Sequence, residues 1–150
     1  MKIEEEIRQK QFRSDYQKAH INILFTAAWL TQQSTQVLKP FGISWQQFNI
    51  LRILRGLHPQ PVTVKLLTER MIDKMSNASR LVDKLKLKGL VEREECPMDR
   101  RRVDVRITDR GLELINRASE AMGAHLERDL STLKPEEARE LNGLLDKLRG

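Results

Sequence analysis

Apolar residues recur at three- and four-residue steps through most of this chain, and the places where that rhythm breaks divide it into segments. From Ile3 to Leu38 neither proline nor glycine occurs. Phe12, Tyr16, Ala19, Ile23, Ala27, Leu30, Ser34 and Val37 keep helical spacing there, which predicts one long helix. Lys39-Pro40-Phe41-Gly42 ends it, because proline cannot continue the hydrogen-bond ladder. Ser44 stands where a cap for a second helix belongs, Trp45 to Leu57, with Phe48, Leu51, Ile53, Leu54 and Leu57 as its apolar positions. His58-Pro59-Gln60-Pro61 follows as a stiff connector.

The middle of the chain carries the most informative pattern. Thr63 to Met71 reads as a short helix with Thr63 as N-cap, and Ile72-Asp73-Lys74-Met75 leaves only a few residues before the next helix. From Ser76 to Lys88, Ala78, Leu81, Val82 and Leu85 fall on one face, whereas Asn77, Arg80, Lys84 and Lys88 line the opposite side. Two helices across so short a turn define a helix-turn-helix candidate, whose second helix can lie in a major groove. The glycine often found in such a turn is missing here.

Gly89 stops this second helix, since glycine tolerates the left-handed conformation just past a helix end. Leu90 to Glu95 then reads as a strand, Cys96 to Arg101 as a turn, and Arg102 to Ile107 as a strand. In the last of these Val103, Val105 and Ile107 alternate strictly with polar residues. A hairpin with arginines at its tip, following directly on a recognition-type helix, makes the fold a winged helix-turn-helix: mainly α with a small β-hairpin wing.

After the wing, Thr108 is placed to cap a helix through Leu112, Ile115, Ser119, Met122, Leu126, Leu130 and Leu133. Lys134-Pro135-Glu136-Glu137 breaks it and starts another, with proline at the first helical position and carboxylates near the positive end of the helix dipole. Ala138, Leu141, Leu144, Leu145 and Leu148 form the stripe of that last helix. Together the terminal helices carry more apolar stripe than a winged module of ~50 residues can cover, given how little so small a unit buries. A second copy of the chain is expected to cover the remainder. The expected organisation is a single domain over 1–150, with 1–38 and 112–150 as dimerisation helices and 44–111 as the DNA-binding module. A two-fold homodimer would present two recognition helices, so the DNA target should be a pseudo-palindrome with half-sites about 10 base pairs apart or a multiple.

Asp99-Arg100-Arg101, Val103 to Ile107 with Thr108, and Gly111 resemble the wing signature of the MarR family of bacterial transcription regulators. Ser76 to Leu85, followed by Lys88-Gly89-Leu90-Val91-Glu92-Arg93, resembles that family's recognition helix and its exit. The resemblance extends more weakly over nearly the whole chain. It implies a repressor that releases DNA on binding a small, often aromatic or anionic effector between the dimer helices and the winged module. The residues that would line such a pocket are His20, Phe25, Trp29, Trp45, Phe48 and Arg52, although ordinary core packing competes for each aromatic. The resemblance also implies that Asp99 orients Arg101 and is structural. Lys134 departs from the serine or threonine cap common in the family, and a weaker cap is the consequence.

Composition narrows the partners. The formal net charge is +6 over 150 residues, which favours a polyanionic partner. Aromatics make up only 5%, which argues against a binder that stacks single-stranded bases. A single cysteine, Cys96, cannot form an internal disulfide, no signal-peptide pattern is present, and the apolar run Ile21 to Leu30 is far short of the ~20 residues that span a bilayer. The chain is therefore expected to be cytoplasmic, with no membrane partner. His20, His58 and His125 are scattered, and neither a phosphate-binding glycine loop, a nucleophile motif nor a metal-ligand spacing occurs. No enzyme activity, cofactor or metal is expected.

Three kinds of DNA contact follow from residue type and position. Ser76, Asn77, Ser79 and Arg80, early in the recognition helix, are the base-reading candidates, since Asn and Arg can each make paired hydrogen bonds with a purine. Lys84, Lys88 and Arg93 are candidates for phosphate, which fixes register without reading sequence. Arg100, Arg101 and Arg102 can enter a minor groove from the hairpin tip. The alternatives are a nonspecific architectural or protein-docking winged module, or a redox-responsive regulator acting through Cys96, whose thiol pKa the neighbouring arginines would lower.

Overall fold

The computed structural model describes residues 1–150, and the chain divides into two compact units, Met1–Trp45 and Gln46–Gly150. In the first unit, α1 (Ile3–Glu6) and α2 (Asp15–Leu38) replace the single long helix expected from the periodicity. The break has local causes that an absence of proline and glycine does not reveal. Arg8 adopts a left-handed φ of 55°, and Ser14 is an extended N-cap whose Oγ accepts the Gln17 N–H at 3.1 Å. Gln17 answers by accepting the Arg13 N–H at 2.6 Å. Glu4 pairs with Lys18, whose ammonium holds the Glu4 carboxyl below its usual range. After α2, a single 3₁₀ turn over Lys39–Phe41 carries Pro40 and closes at Gly42, which takes φ 69°.

The second unit begins within α3 (Trp45–Leu57), whose Phe48, Ile50, Leu51 and Leu54 are buried. Then follow β1 (Val62–Thr63), α4 (Val64–Arg70), α5 (Ala78–Leu87), β2 (Val91–Cys96), β3 (Asp99–Ile107), α6 (Asp109–Asp129) and α7 (Pro135–Arg149). The sheet has three antiparallel strands in the order β1-β3-β2. Its third member, β1, pairs Val62 with Val105 and Thr63 with Asp104, and is too short for alternation to mark it in the sequence. Val82 and Leu85 of α5 and Val91 and Val105 of the sheet are fully buried, so the apolar faces read from sequence meet in one core.

One capping hydroxyl, that of Thr108, orders the exit from the wing. Thr108 Oγ1 accepts the Gly111 N–H at 3.0 Å and donates to the Gly89 carbonyl at 2.8 Å, tying the start of α6 to the end of the recognition helix. α6 stops at Asp129 rather than reaching Leu133. At α7 the Lys134 side chain has no acceptor to offer, and the Glu137 carboxylate instead accepts the Lys134 N–H at 3.0 Å. No residue of α7 is buried, and Leu141, Leu144 and Leu148 are 44%, 59% and 67% exposed. On α2, Leu24 and Trp29 are also exposed. No helix is long and apolar enough to cross a membrane.

Candidate nucleic-acid interface

Helix α5 starts at Ala78, two residues later than its polar stripe from Ser76 implies. Asn77 is its N-cap rather than a helical residue, with an extended backbone and with Oδ1 accepting the Arg80 N–H at 3.1 Å. The carbonyl oxygen of that side chain is therefore committed to the helix end, and its amide donors are the groups left for a partner. Ser76 and Ser79 are half-buried, whereas Arg80 and Lys84 are exposed on the outer face. Asn77→Ala should cost about 1 kcal/mol of stability through loss of the cap, and Asn77→Ser should restore most of it. Equal urea midpoints for wild type and the alanine variant would remove the capping role.

The wing departs from the regular hairpin that its sequence predicts. Cys96 pairs with Asp99 across a tip of only Pro97 and Met98, but Glu95 pairs with Val103. Arg100, Arg101 and Arg102 are thus extra residues on β3 with no cross-strand partner, and the ladder shifts register at that point. A bulge of this kind bends a strand and re-aims its side chains. Here it pushes three adjacent arginines off the ladder. Asp99 Oδ1 accepts the Arg101 backbone N–H at 3.0 Å, so the aspartate holds the main chain of the bulge. The Arg102 guanidinium lies 3.2 Å from Asp104, and Arg100 and Arg101 are exposed.

Between wing and helix lies an open concavity of about 530 Å³. Ser79 of α5, Arg93 of β2, and Arg101 and Arg102 of β3 line it together with Thr63 and Lys65 at the start of α4. Sequence reading placed the first four on one DNA-facing surface and missed Lys65, whose only signal is a basic residue in the first turn after the Thr63 cap. Thr63 Oγ1 itself accepts the Leu66 N–H at 3.1 Å. Arg80, Lys84 and Arg100 lie outside this concavity. Two of the expected phosphate binders already have protein partners: Arg93 pairs with Asp83, and Lys88 Nζ donates to Gln47 Oε1 at 3.1 Å.

The expected effector residues fall in different places. His20, Phe25 and Trp29 lie on α2, where Phe25 and Trp29 line a cleft with Ile3 of α1. Trp45 opens α3, Phe48 is buried, and the Arg52 guanidinium sits 5.9 Å from the Phe48 ring centroid. Arg52 lines a separate concavity with Asn49 and Arg70. Cys96 is a free, half-buried thiol beside the hairpin tip.

A helix-turn-helix followed by a β-hairpin wing, which β1 ahead of α4 completes to three strands, with a basic concavity between helix and wing, defines a winged helix-turn-helix protein. The model of the MarR family matches residues 41–102, which spans α3 through the arginine bulge. The chain is 31% identical over 119 residues to the HTH-type transcriptional regulator MgrA of Staphylococcus aureus, covering 77% of this chain and 76% of that protein. Among solved structures, a MarR transcription factor from Planctomyces limnophilus is 32% identical with a TM-score of 0.69, over 91% of this chain and 98% of that one. A mutant of MarR from E. coli complexed with operator DNA shares the fold at 24% identity, with a TM-score of 0.78 over 93% and 99% of the two chains. The chain belongs to the MarR family of transcriptional regulators.

Proposed function

We propose that this regulator binds double-stranded DNA sequence-specifically as a homodimer, and that it represses transcription from a pseudo-palindromic operator in the cytoplasm. The observation that carries this reading is the concavity shared by Ser79, Arg93, Arg101 and Arg102, with exposed Arg80 and Lys84 beside it. The E. coli MarR structure, with operator DNA on the same fold, supports it. α5 enters the major groove, with Arg80 and the Asn77 amide reading base edges and Ser76 and Ser79 close to them. Lys84, Lys88 and Arg93 meet phosphates, the last two by exchanging their present partners for DNA oxygens. Arg100, Arg101 and Arg102 reach the adjacent minor groove, where a narrow A-tract attracts arginine.

The exposed leucines of α7 support the dimer, with 1–38 and 112–150 as its helices and 44–111 as the module it presents twice. Scattered apolar side chains need no explanation, but Leu141, Leu144 and Leu148 share one face at three- and four-residue steps. A two-fold contact would cover that face in both copies at once. The regulator would be released from DNA by a small aromatic or anionic effector.

Salt dependence separates the contact classes. Lys84→Ala should weaken binding to every sequence alike and reduce the slope of log K against log salt by about 0.9. Arg80→Ala should instead relax the preference at one or two positions of the half-site. If both variants merely scale affinity across a panel of operator mutants, the assignment of Arg80 to base reading is wrong.

A further inference from the structure

Helix α6 is bonded to the DNA-binding module at two levels along its length. At its start, Thr108 Oγ1 donates to the Gly89 carbonyl at 2.8 Å, which pins that end to the exit of α5. Further along, Arg55 of α3 reaches across to it. The Arg55 Nη1 donates to Asn116 Oδ1 at 3.2 Å and to Ser119 Oγ at 3.0 Å. These acceptors stand 61 and 64 residues from Arg55 in sequence, and neither is charged. Earlier in α3, Asn49 is only 5% exposed, and its Oδ1 accepts the Ile72 N–H at 2.9 Å in the turn between α4 and α5. α3 thus bridges the turn that precedes the recognition helix and the middle of α6.

A helix held at one point can pivot, whereas a second point fixes its axis. Asn116 and Ser119 lie about 12–16 Å beyond Thr108 at the helical rise of ~1.5 Å per residue. They share one face of α6, so a roll or slide of that helix takes one or both away from the Arg55 nitrogen. Ile115 and Ala118, next to them in α6, are fully buried, but apolar contact is non-directional and sets no register. Past these bonds α6 runs on to Leu126, an exposed leucine within the segment proposed to dimerise.

We propose that Arg55 is a positioning residue that sets the half-site spacing the dimer accepts, by fixing α6 against the module that carries α5. This rests on the reading of the protein as a dimer on an operator. One added base pair moves a half-site by about 3.4 Å and turns it by about a tenth of a turn. A dimer can follow that displacement only in the contact between its copies, or between α6 and the module. Hydrogen bonds of 3.0 and 3.2 Å do not stretch by such an amount, so Arg55 closes the second route. It acts without touching DNA, which separates it from Arg80 and Lys84.

Two measurements on the full chain test this. The first is DNA-free: spin labels at Lys84→Cys and Glu120→Cys, in a Cys96→Ser background diluted with unlabelled chain, report the distribution of α5–α6 distances. Arg55→Leu should broaden it. So should Asn116→Ala combined with Ser119→Ala, which leaves Arg55 in place. All three together should add nothing further, since they remove a single tie. The second measurement uses unlabelled protein and the duplex selected from a random pool, with its half-sites moved one base pair closer or further apart. Wild type should prefer the selected spacing roughly tenfold, comparable to one mismatched base pair. Arg55→Leu and the double variant should each cut that preference at least about threefold, with the same bases preferred within a half-site and the salt slope unchanged. An unchanged distance distribution, or a spacing preference equal to that of wild type, would overturn the role of Arg55. A lower salt slope in Arg55→Leu would overturn it too, by assigning the guanidinium to a phosphate. Failure of the operator reading looks different. Wild type itself then prefers no spacing, which overturns the spacing claim together with that reading, while the DNA-free distances show separately whether Arg55 holds α6.

Discussion

Gly111→Ala should lower the melting temperature by roughly 6–12 °C, an effect of about 3 kcal/mol in a chain of this size. A Cβ at this buried position would stand 2.2 Å from the Leu90 carbonyl oxygen and 2.7 Å from Cγ1 of Ile107. The obstacle is backbone, so no change of rotamer relieves it. The same carbonyl accepts the Thr108 N–H at 3.1 Å, so moving it disturbs the cap that starts α6. Gly111 thus allows α6 to begin directly against the junction of recognition helix and wing. Thermal unfolding followed by circular dichroism reads the effect, and a shift smaller than about 2 °C would show that the close approach is not needed. Gly143, with nothing within 4 Å of an added Cβ, is the matched control and should tolerate alanine or gain stability from it.

Arg101→Ala should weaken operator binding about tenfold to a hundredfold, the ~1–3 kcal/mol of a groove contact, with the melting temperature and dimerisation nearly unchanged. Structural grounds make this variant cleaner than most. Asp99 holds the backbone N–H of residue 101, which alanine retains, and the Arg101 side chain is exposed and forms no ion pair. Asp99→Ala should reach a comparable loss by another route, releasing the bulge while leaving all three guanidiniums present. Gel-shift titration at two salt concentrations distinguishes them. Equal affinity of wild type and Arg101→Ala would take the wing out of the mechanism.

Much of this architecture is legible in the chain because periodicity and caps agree. The apolar face of α5 is buried at Ala78, Val82 and Leu85 as its spacing requires, and Thr63 and Thr108 cap the helices they precede. The break between α1 and α2 escapes because a helical apolar period persists across it. The bonds from the Gln17 N–H to Ser14 Oγ and from the Arg13 N–H to Gln17 Oε1 fix the start of α2 at Asp15. The bulge escapes for a related reason. Asp99-Arg100-Arg101 has no alternation to betray a strand, so it reads as turn, whereas Asp99 carries the ladder past the arginines to Cys96. Asn77 shows a third limit, since an amide on a polar stripe reads as a base contact until its oxygen is found on a backbone N–H. The basic concavity at Arg52 and Arg70 joins residues 18 positions apart in sequence, a closeness that only the packing of α3 and α4 creates.

Selection of bound duplexes from a random DNA pool by the full-length protein tests the central claim most directly. Two recognition helices presented by a two-fold dimer should enrich one motif with dyad symmetry, its half-sites about 10 base pairs apart, bound roughly 10³-fold or more tighter than bulk DNA. An enriched site without symmetry, or no enrichment over the starting pool, would contradict it.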